Sequence, residues 1–257
     1  MPTIRSNGAW LRFEQAGDPT WPTVVLVHGF AGHADDQWVE TGWVKRLAEA
    51  RRRSVRIDLR GHGSSEKLYD PAAYSLEVFA ADLEELLRYA NARSVDLFGY
   101  SMGARVCLRL LERRPDRLRS VILGGIGANV LAGLPENEAI VAALEAPDPS
   151  KVESPIGRVF RAFAESRGND LRALAAVRRG GRSAAPDRDA LAKLRLPALV
   201  FGGEKDQLIG DVSGLAALIP GARTAVIPDA EHVSAPSHPA TFDAVLGFLA
   251  EVDRLSR

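Results

Sequence analysis

A serine between two glycines is the most informative feature of this sequence. Residues Gly99–Gly103, with the sequence GYSMG, follow the apolar run Val95–Phe98 and precede a stretch of helical period that ends near Arg113. In a sharp strand-to-helix turn, the serine hydroxyl stands clear of the sheet, and the two glycines remove side chains that would collide. The pattern therefore predicts that Ser101 is a nucleophile. The alternative is that Ser101 only caps the helix that follows it.

A serine hydroxyl needs a base at neutral pH, and the base needs an acid that orients it. For a nucleophile in this type of turn, the expected chain order is serine, acid, histidine. Two of the five histidines follow Ser101 in the chain. His232 comes shortly after the predicted strand Arg223–Ile227, and His238 comes immediately before Pro239. We predict that His232 is the base and that His238 is a helix-start or surface residue.

Asp206 is the candidate acid. It follows the predicted strand Pro197–Phe201 on a loop, which places it at the same edge of the sheet as the serine turn. Two other carboxylates lie close to it in the chain. Asp211 has the position of an N-cap for the next helical stretch, and Glu204 is expected to be solvated.

The negative charge that develops on a substrate carbonyl oxygen needs backbone N–H donors. We predict that one donor is the N–H of Met102, the residue after the nucleophile. The other is predicted to be the N–H of Phe30, in the loop after the strand Thr23–Val27, where Gly29 lets the backbone approach the site. His28 in the same loop is expected to be a buried, hydrogen-bonded residue and not a catalytic one.

Short apolar runs alternate with longer stretches of helical period, and these elements must position the residues above. The runs are Ala9–Gln15, Thr23–Val27, Ser54–Asp58, Ser94–Phe98, Leu118–Leu123, Pro197–Phe201 and Arg223–Ile227. The helical stretches are Trp38–Ala50, Leu76–Asn91, Met102–Arg113, Val212–Leu218 and Pro239–Arg254. Strands that are apolar nearly throughout are typical of a parallel sheet covered on both faces. The sequence therefore predicts an α/β fold with a doubly wound, mostly parallel sheet.

The alternation is interrupted between residues 127 and 196, which contain several prolines and two short amphipathic stretches but no convincing strand. A structureless loop of this length is improbable inside a compact domain. We predict an α/β core of residues 1–126 and 197–257, with residues 127–196 inserted as a helical cap. The predicted substrate pocket combines Phe160 and Phe163 of the cap with Phe30 and Tyr100 of the core. The alternative is that the inserted helices pack outside the core as scaffold.

The later half of the predicted cap is rich in arginine, with seven between Arg158 and Arg182. Such a run usually forms a solvated helix face. The alternative interpretation is that its field draws anionic substrates towards the pocket.

Composition narrows the classes of function. The 257 residues include 33 Lys and Arg and 33 Asp and Glu, a balance that argues against a general nucleic-acid-binding protein. One cysteine cannot form an intrachain disulfide or a Cys-based zinc site, and Gly125-x-Gly127 lacks the third glycine of a dinucleotide loop. We therefore expect no metal and no cofactor. Without a signal-peptide or membrane-spanning pattern, we expect a cytoplasmic protein that is not inserted in a membrane.

Taken together, these motifs make the chain resemble the α/β-hydrolase fold superfamily over nearly its whole length, with small bacterial serine hydrolases that have a short helical cap as the most similar kind. The matching segments are HGF at His28–Phe30, DLRGHGSS at Asp58–Ser65, GYSMG at Gly99–Gly103, and then Asp206, His232, Pro239 and Phe242. The resemblance implies an α/β-hydrolase fold and a Ser101, Asp206 and His232 triad. We interpret Asp58 and His62 as a structural brace for the neighbouring loops.

The residues and the resemblance together predict a cofactor-independent serine hydrolase that acts on a small-molecule carboxylic ester or lactone. One alternative is a lyase or hydrolase of C–C or C–O bonds, of the menaquinone-synthase or meta-cleavage type. That synthase has similar GFxGxxxxW and GYSMGxR patterns, but it also has an arginine in a segment where Ile126–Ile140 has none. A second alternative is a ligand-binding sensor on the same fold. The sequence does not determine the oligomeric state.

Overall fold

The computed structural model describes residues 2–90, 94–113, 118–132, 137–181 and 185–255, and this part of the chain contains one eight-stranded sheet. The strands are β1 (Thr3–Ser6), β2 (Ala9–Ala16), β3 (Thr23–Val27), β4 (Arg53–Ile57), β5 (Val95–Tyr100), β6 (Leu118–Gly124), β7 (Ala198–Gly203) and β8 (Arg223–Ile227). Their order across the sheet is β1-β2-β4-β3-β5-β6-β7-β8. β2 pairs antiparallel with β1 and with β4, and all other neighbouring strands are parallel. The predicted fold class is therefore confirmed.

Helices alternate with the strands. Among the described residues they are α1 (Trp43–Glu49), α2 (Leu76–Tyr89), α3 (Met102–Arg113), α4 (Asn137–Glu145), α5 (Pro155–Ser166), α6 (Leu171–Gly180), α7 (Arg188–Ala192), α8 (Val212–Ala216) and α9 (Pro239–Leu255). Single helical turns occur at Asp36–Glu40, Pro71–Ala73, Ala128–Ala132, Pro149–Lys151 and Ala235–Ser237.

The central strands are apolar throughout because both faces of the sheet are covered. On β3, Val24 and Leu26 belong to a core shared with α1 and α9, whereas Val25 and Val27 belong to a core shared with α2, α3 and α8. Successive side chains of a strand point to opposite faces, so two helical layers need apolar residues at every position of the strand. The continuous VVLV run of the sequence follows from this three-layer arrangement.

The observed elements differ from the predicted ones mainly at two places. The helical stretch predicted for Trp38–Ala50 is divided into the turn Asp36–Glu40 and α1, because Gly42 has a left-handed φ of +87° between them. The edge strand β1 was not predicted, since it has only four residues and no apolar run. The predicted end of α2 at Asn91 lies outside the described residues.

Four helices, α4 to α7, occupy the interval between β6 and β7. α4 packs against both α5 and α6, and Leu174 of α6 is fully buried in the core that α2 and α3 share. The division into a core and a cap of residues 127–196 stays a prediction. No helix in the described ranges is long and apolar enough to cross a membrane.

Candidate active site

Ser101 lies in a strained turn at the carboxyl end of β5. Its backbone has a φ of +52°, a left-handed conformation that is unusual for a residue with a side chain. A Cβ atom at Gly99 would lie 2.5 Å from the carbonyl oxygen of Gly103, and one at Gly103 would lie 2.1 Å from the carbonyl oxygen of Val27. Both distances are impossible for a real side chain. The two glycines are therefore required by the close approach of α3 to β5 and β3.

The three predicted triad residues meet at this turn. The Ser101 Oγ lies 3.0 Å from the Nε2 of His232, and the Nδ1 of His232 lies 2.6 Å from the Oδ2 of Asp206. The other carboxylate oxygen of Asp206 accepts the backbone N–H of Leu208 at 3.0 Å. The Asp206 carboxylate is buried, so its orientation is set by these two hydrogen bonds and not by solvent.

Parallel strand direction explains why residues so distant in the chain come together. Ser101, Asp206 and His232 follow β5, β7 and β8, respectively, and parallel strands end at the same edge of the sheet. The loop that holds His232 is also attached to β5, because the Tyr100 hydroxyl donates to the backbone carbonyl of His232 at 2.6 Å. The Tyr100 ring centroid lies 5.5 Å from that of His232. Tyr100 thus holds the His232 backbone by a hydrogen bond and contacts the imidazole with its ring.

The other carboxylates and the other histidine considered for the triad lie elsewhere. Asp211 accepts the N–H of Ser213 as the N-cap of α8, and Glu204 is exposed and accepts the N–H of Asp229. The Nδ1 of His238 accepts the N–H of Ala240 at the beginning of α9. None of these three lies in the hydrogen-bonded chain of Ser101. In the described ranges, no cluster of three or more His, Cys, Asp or Glu side chains could hold a metal ion.

The two predicted oxyanion donors lie beside the nucleophile. Met102 is the first residue of α3, and Phe30 lines the same cavities as Ser101. Among the described residues, no acceptor is found for either backbone N–H. Both donors are therefore available to an incoming carbonyl oxygen, and their role stays a prediction.

The loop that holds Phe30 rests on the turn that follows β4. Asp58 accepts the backbone N–H groups of Ala34 and Ser64, each at 2.8 Å, and so joins the two loops. His62 is fully buried, and its ring contacts that of Phe30 edge to face at 5.8 Å. Its Nδ1 donates to the carbonyl of Arg60 at 3.0 Å. These contacts support the interpretation of Asp58 and His62 as a brace.

The His62→Asn substitution should make stability less dependent on pH. Burial lowers the pKa of His62 from 6.5 to about 3, so below pH 6.5 the unfolded chain binds a proton that the folded chain cannot bind until about pH 3. The native state must therefore lose stability as the pH falls through this window, by about 2–3 kcal/mol at pH 4.5. Urea unfolding of both proteins at pH 7 and pH 4.5 measures this difference. An equal loss of unfolding free energy in the two proteins would contradict the lowered pKa of His62.

Two cavities open from Ser101 and His232. The inner cavity, of about 320 Å³, is lined mainly by apolar residues of the core and of α4 to α6. The outer cavity, of about 540 Å³, shares Phe30 and Phe160 with the inner one, and Tyr100 and Phe163 also line it. All four predicted pocket residues thus line a cavity that contains the nucleophile.

Two arginines of the inner cavity were not predicted as pocket residues, namely Arg105 and Arg178. Helical spacing could have indicated both. Arg105 follows Ser101 by four residues on α3, and Arg178 follows the buried Leu174 by four residues on α6, so each lies on the inward face of its helix.

Comparison with known proteins gives one family and several relatives. Residues 22–153 match the family model described as alpha/beta hydrolase fold. A dihydrolipoyllysine-residue acetyltransferase component of the acetoin cleaving system from Pseudomonas putida is 30% identical, over 88% of this chain and 63% of its own length. The regions matched in this protein and in two other curated relatives span 35% to 63% of the lengths of those proteins. These relatives are therefore longer than the region they share with this chain.

Solved structures match over almost the full chain. A hydrolase from Pseudomonas aeruginosa has a TM-score of 0.79 and 27% identity, and the match covers 96% of this chain and 97% of that one. An N-acyl homoserine lactone degrading enzyme has a TM-score of 0.74 and 25% identity, and the match covers 96% of this chain and 99% of that one.

Proposed function

This chain belongs to the α/β-hydrolase fold family, and we propose that it is a serine hydrolase that cleaves a small carboxylic ester or lactone through an acyl-enzyme on Ser101. The observation that carries the proposal is the continuous hydrogen-bonded chain from the Ser101 hydroxyl through His232 to Asp206, with distances of 3.0 Å and 2.6 Å. Ser101 and His232 line two cavities, which can hold the acyl group and the leaving group of an ester.

In the first half of the reaction, the Ser101 Oγ attacks the carbonyl carbon while the Nε2 of His232 takes the hydroxyl proton. Asp206 holds the imidazole by its Nδ1–H and stabilises the imidazolium that forms. The carbonyl oxygen becomes an oxyanion and accepts the N–H groups of Phe30 and Met102. The C–O bond to the leaving group then breaks, and His232 returns the proton to the departing alkoxide.

In the second half, water releases the acyl group. The Nε2 of His232 takes a proton from the water as its oxygen attacks the acyl carbon, and a second oxyanion forms in the same place. The bond to Ser101 Oγ breaks and the serine regains its proton, which gives a free carboxylic acid. In a lactone, the leaving alkoxide stays attached to the acyl chain and the product is a hydroxy acid.

The relatives and the fold give this proposal further support. The Pseudomonas aeruginosa protein is a hydrolase, and the second solved structure belongs to an enzyme that degrades a lactone. We further propose that residues 127–196 act as a cap, since α4, α5 and α6 of this segment contribute Ile140, Phe160 and Arg178 to the wall of the inner cavity. The cap would then help to set substrate specificity.

A fluorophosphonate that reacts with activated serines tests the proposal directly. We expect one equivalent of label on the peptide that contains Ser101, with loss of p-nitrophenyl ester hydrolysis in proportion to labelling. The His232→Gln variant should not be labelled at a comparable rate, because the hydroxyl then lacks its base. Hydrolysis that survives complete labelling, or binding of the esters without turnover, would contradict a serine hydrolase and favour a ligand-binding protein.

A further inference from the structure

Two cationic side chains face the inner cavity next to the proposed nucleophile. Arg105 lies on α3, one helical turn after Ser101, and Arg178 lies on α6 in the wall that covers the cavity. The guanidinium carbon of Arg178 lies 5.0 Å from the ring centroid of Phe30, and this side chain is only 9% exposed. Both residues thus line the cavity where the substrate is proposed to bind.

Arg105 is half-buried and Arg178 is buried, and within the described ranges neither has the anionic partner that the other buried arginines have. Five further arginines of the described chain are buried, and each pairs with a carboxylate: Arg12, Arg52, Arg56, Arg60 and Arg161. In the described ranges, neither Arg105 nor Arg178 has a side-chain hydrogen bond or an ion pair, and the buried Nε of Arg178 lacks an acceptor.

Both guanidinium groups remain charged at neutral pH. Burial lowers the pKa of Arg105 to about 10. Burial, and then the nearby charge of Arg105, lower the pKa of Arg178 to about 10 as well. Buried charges are costly unless they are paired, and two like charges in one cavity increase that cost. Among the described residues, two positive charges without an anionic partner thus line a cavity whose other walls include Ile126, Val130 and Ile140.

We propose that Arg105 and Arg178 bind a carboxylate of the substrate, so that the enzyme acts on half-esters of dicarboxylic acids or on lactones that bear a carboxylate. A guanidinium presents parallel N–H donors that match the two oxygens of a carboxylate. The assignment rests on the hydrolase function proposed above.

The acyl side of the substrate is the side that should bear this carboxylate. The outer cavity includes Val159 and Val233, which are 59% and 70% exposed, so this cavity opens to solvent. The leaving group departs first and needs such an exit, whereas the acyl group stays on Ser101 until water releases it. The acyl group therefore belongs in the inner cavity with Arg105 and Arg178.

Two esters with five-carbon acyl groups test this proposal: p-nitrophenyl valerate, whose acyl chain ends in a methyl group, and mono-p-nitrophenyl glutarate, whose acyl chain ends in a carboxylate. We expect the wild-type protein to prefer the glutarate ester. Arg105→Met and Arg178→Met should each lower the glutarate-to-valerate ratio of kcat/KM by about 10- to 100-fold, mainly through KM, because a hydrogen-bonded charge pair is lost. The matched control is Arg179→Met, next to Arg178 on α6, whose guanidinium pairs with Glu145 at the surface. Its ratio should stay at the wild-type value.

A binding measurement separates this inference from the proposed chemistry. Free glutarate should raise the melting temperature of Ser101→Ala but not that of the double variant Ser101→Ala with Arg178→Met. The Arg178→Met substitution alone should raise the melting temperature, because it removes an unpaired buried charge; a structural arginine would give the opposite sign.

Three results would overturn the carboxylate site. The first is hydrolysis of valerate with no arginine-dependent preference for glutarate, which would leave the hydrolase function intact. The second is an equal loss of preference in Arg179→Met, which would indicate a general field and no direct contact. The third is stronger stabilisation by inorganic phosphate than by glutarate, which would indicate a phosphate ligand. Glutarate binding without any ester turnover would support the anion site while contradicting the hydrolase function.

Discussion

Ser101→Ala should lower kcat for ester hydrolysis by about a million-fold while the free energy of unfolding changes by less than about 1 kcal/mol. The loss is this large because serine, histidine and acid act as one unit, so removal of the nucleophile leaves only the binding site and the oxyanion donors. Stability should hardly change, since the Ser101 side chain is half-buried and its described side-chain hydrogen bond is the one to His232.

The measurement is kcat with p-nitrophenyl butyrate for both proteins, together with urea unfolding to show that the variant is folded. Ser237→Ala provides the control, because Ser237 is exposed and lies outside both cavities. A variant that retains more than about a hundredth of the wild-type kcat, with an intact unfolding curve, would show that another group is the nucleophile. The single cysteine of the sequence, Cys107, lies on α3, but burial raises its pKa well above the ordinary value, so it stays protonated.

Asp206→Asn should lower kcat by about 10⁴-fold with little change in KM. The Asp206 carboxylate accepts the Nδ1–H of His232, which leaves Nε2 free to take the serine proton. An amide NH₂ group at this place favours the other tautomer, in which Nε2 carries the hydrogen and cannot act as a base. The effect comes from the proton position, because asparagine keeps the size of the side chain.

Asp211→Asn is the matched control for this prediction. It makes the same chemical change on the same loop, and asparagine is as good an N-cap for α8 as aspartate. We expect kcat within a factor of two or three of the wild-type value. A large loss in Asp211→Asn with a small loss in Asp206→Asn would instead assign the acid to residue 211.

The sequence predicted the edge of the sheet where Ser101, Asp206 and His232 meet, because its signals are local. The GYSMG turn needs glycines at fixed spacing around Ser101, and the strands around it need apolar residues at consecutive positions. Both requirements act within a few residues, so they can be read without knowledge of the fold. The boundary at Gly42 was missed because apolar residues on both sides, Trp38 and Trp43, continue a helical pattern across a glycine that adopts a left-handed conformation.

The meeting of Ser101, Asp206 and His232, the doubly wound sheet and the family resemblance could therefore be predicted from the sequence alone. Only the tertiary structure decided which side chains share a cavity. Arg105 and Arg178 lie 73 positions apart in the chain, and nothing in the sequence around them distinguishes them from the other arginines. They differ from the paired arginines because, among the described residues, no carboxylate lies within reach of either guanidinium. That difference depends on the tertiary arrangement of the chain, because the field at a charge is set by neighbours in space and not by neighbours in the chain.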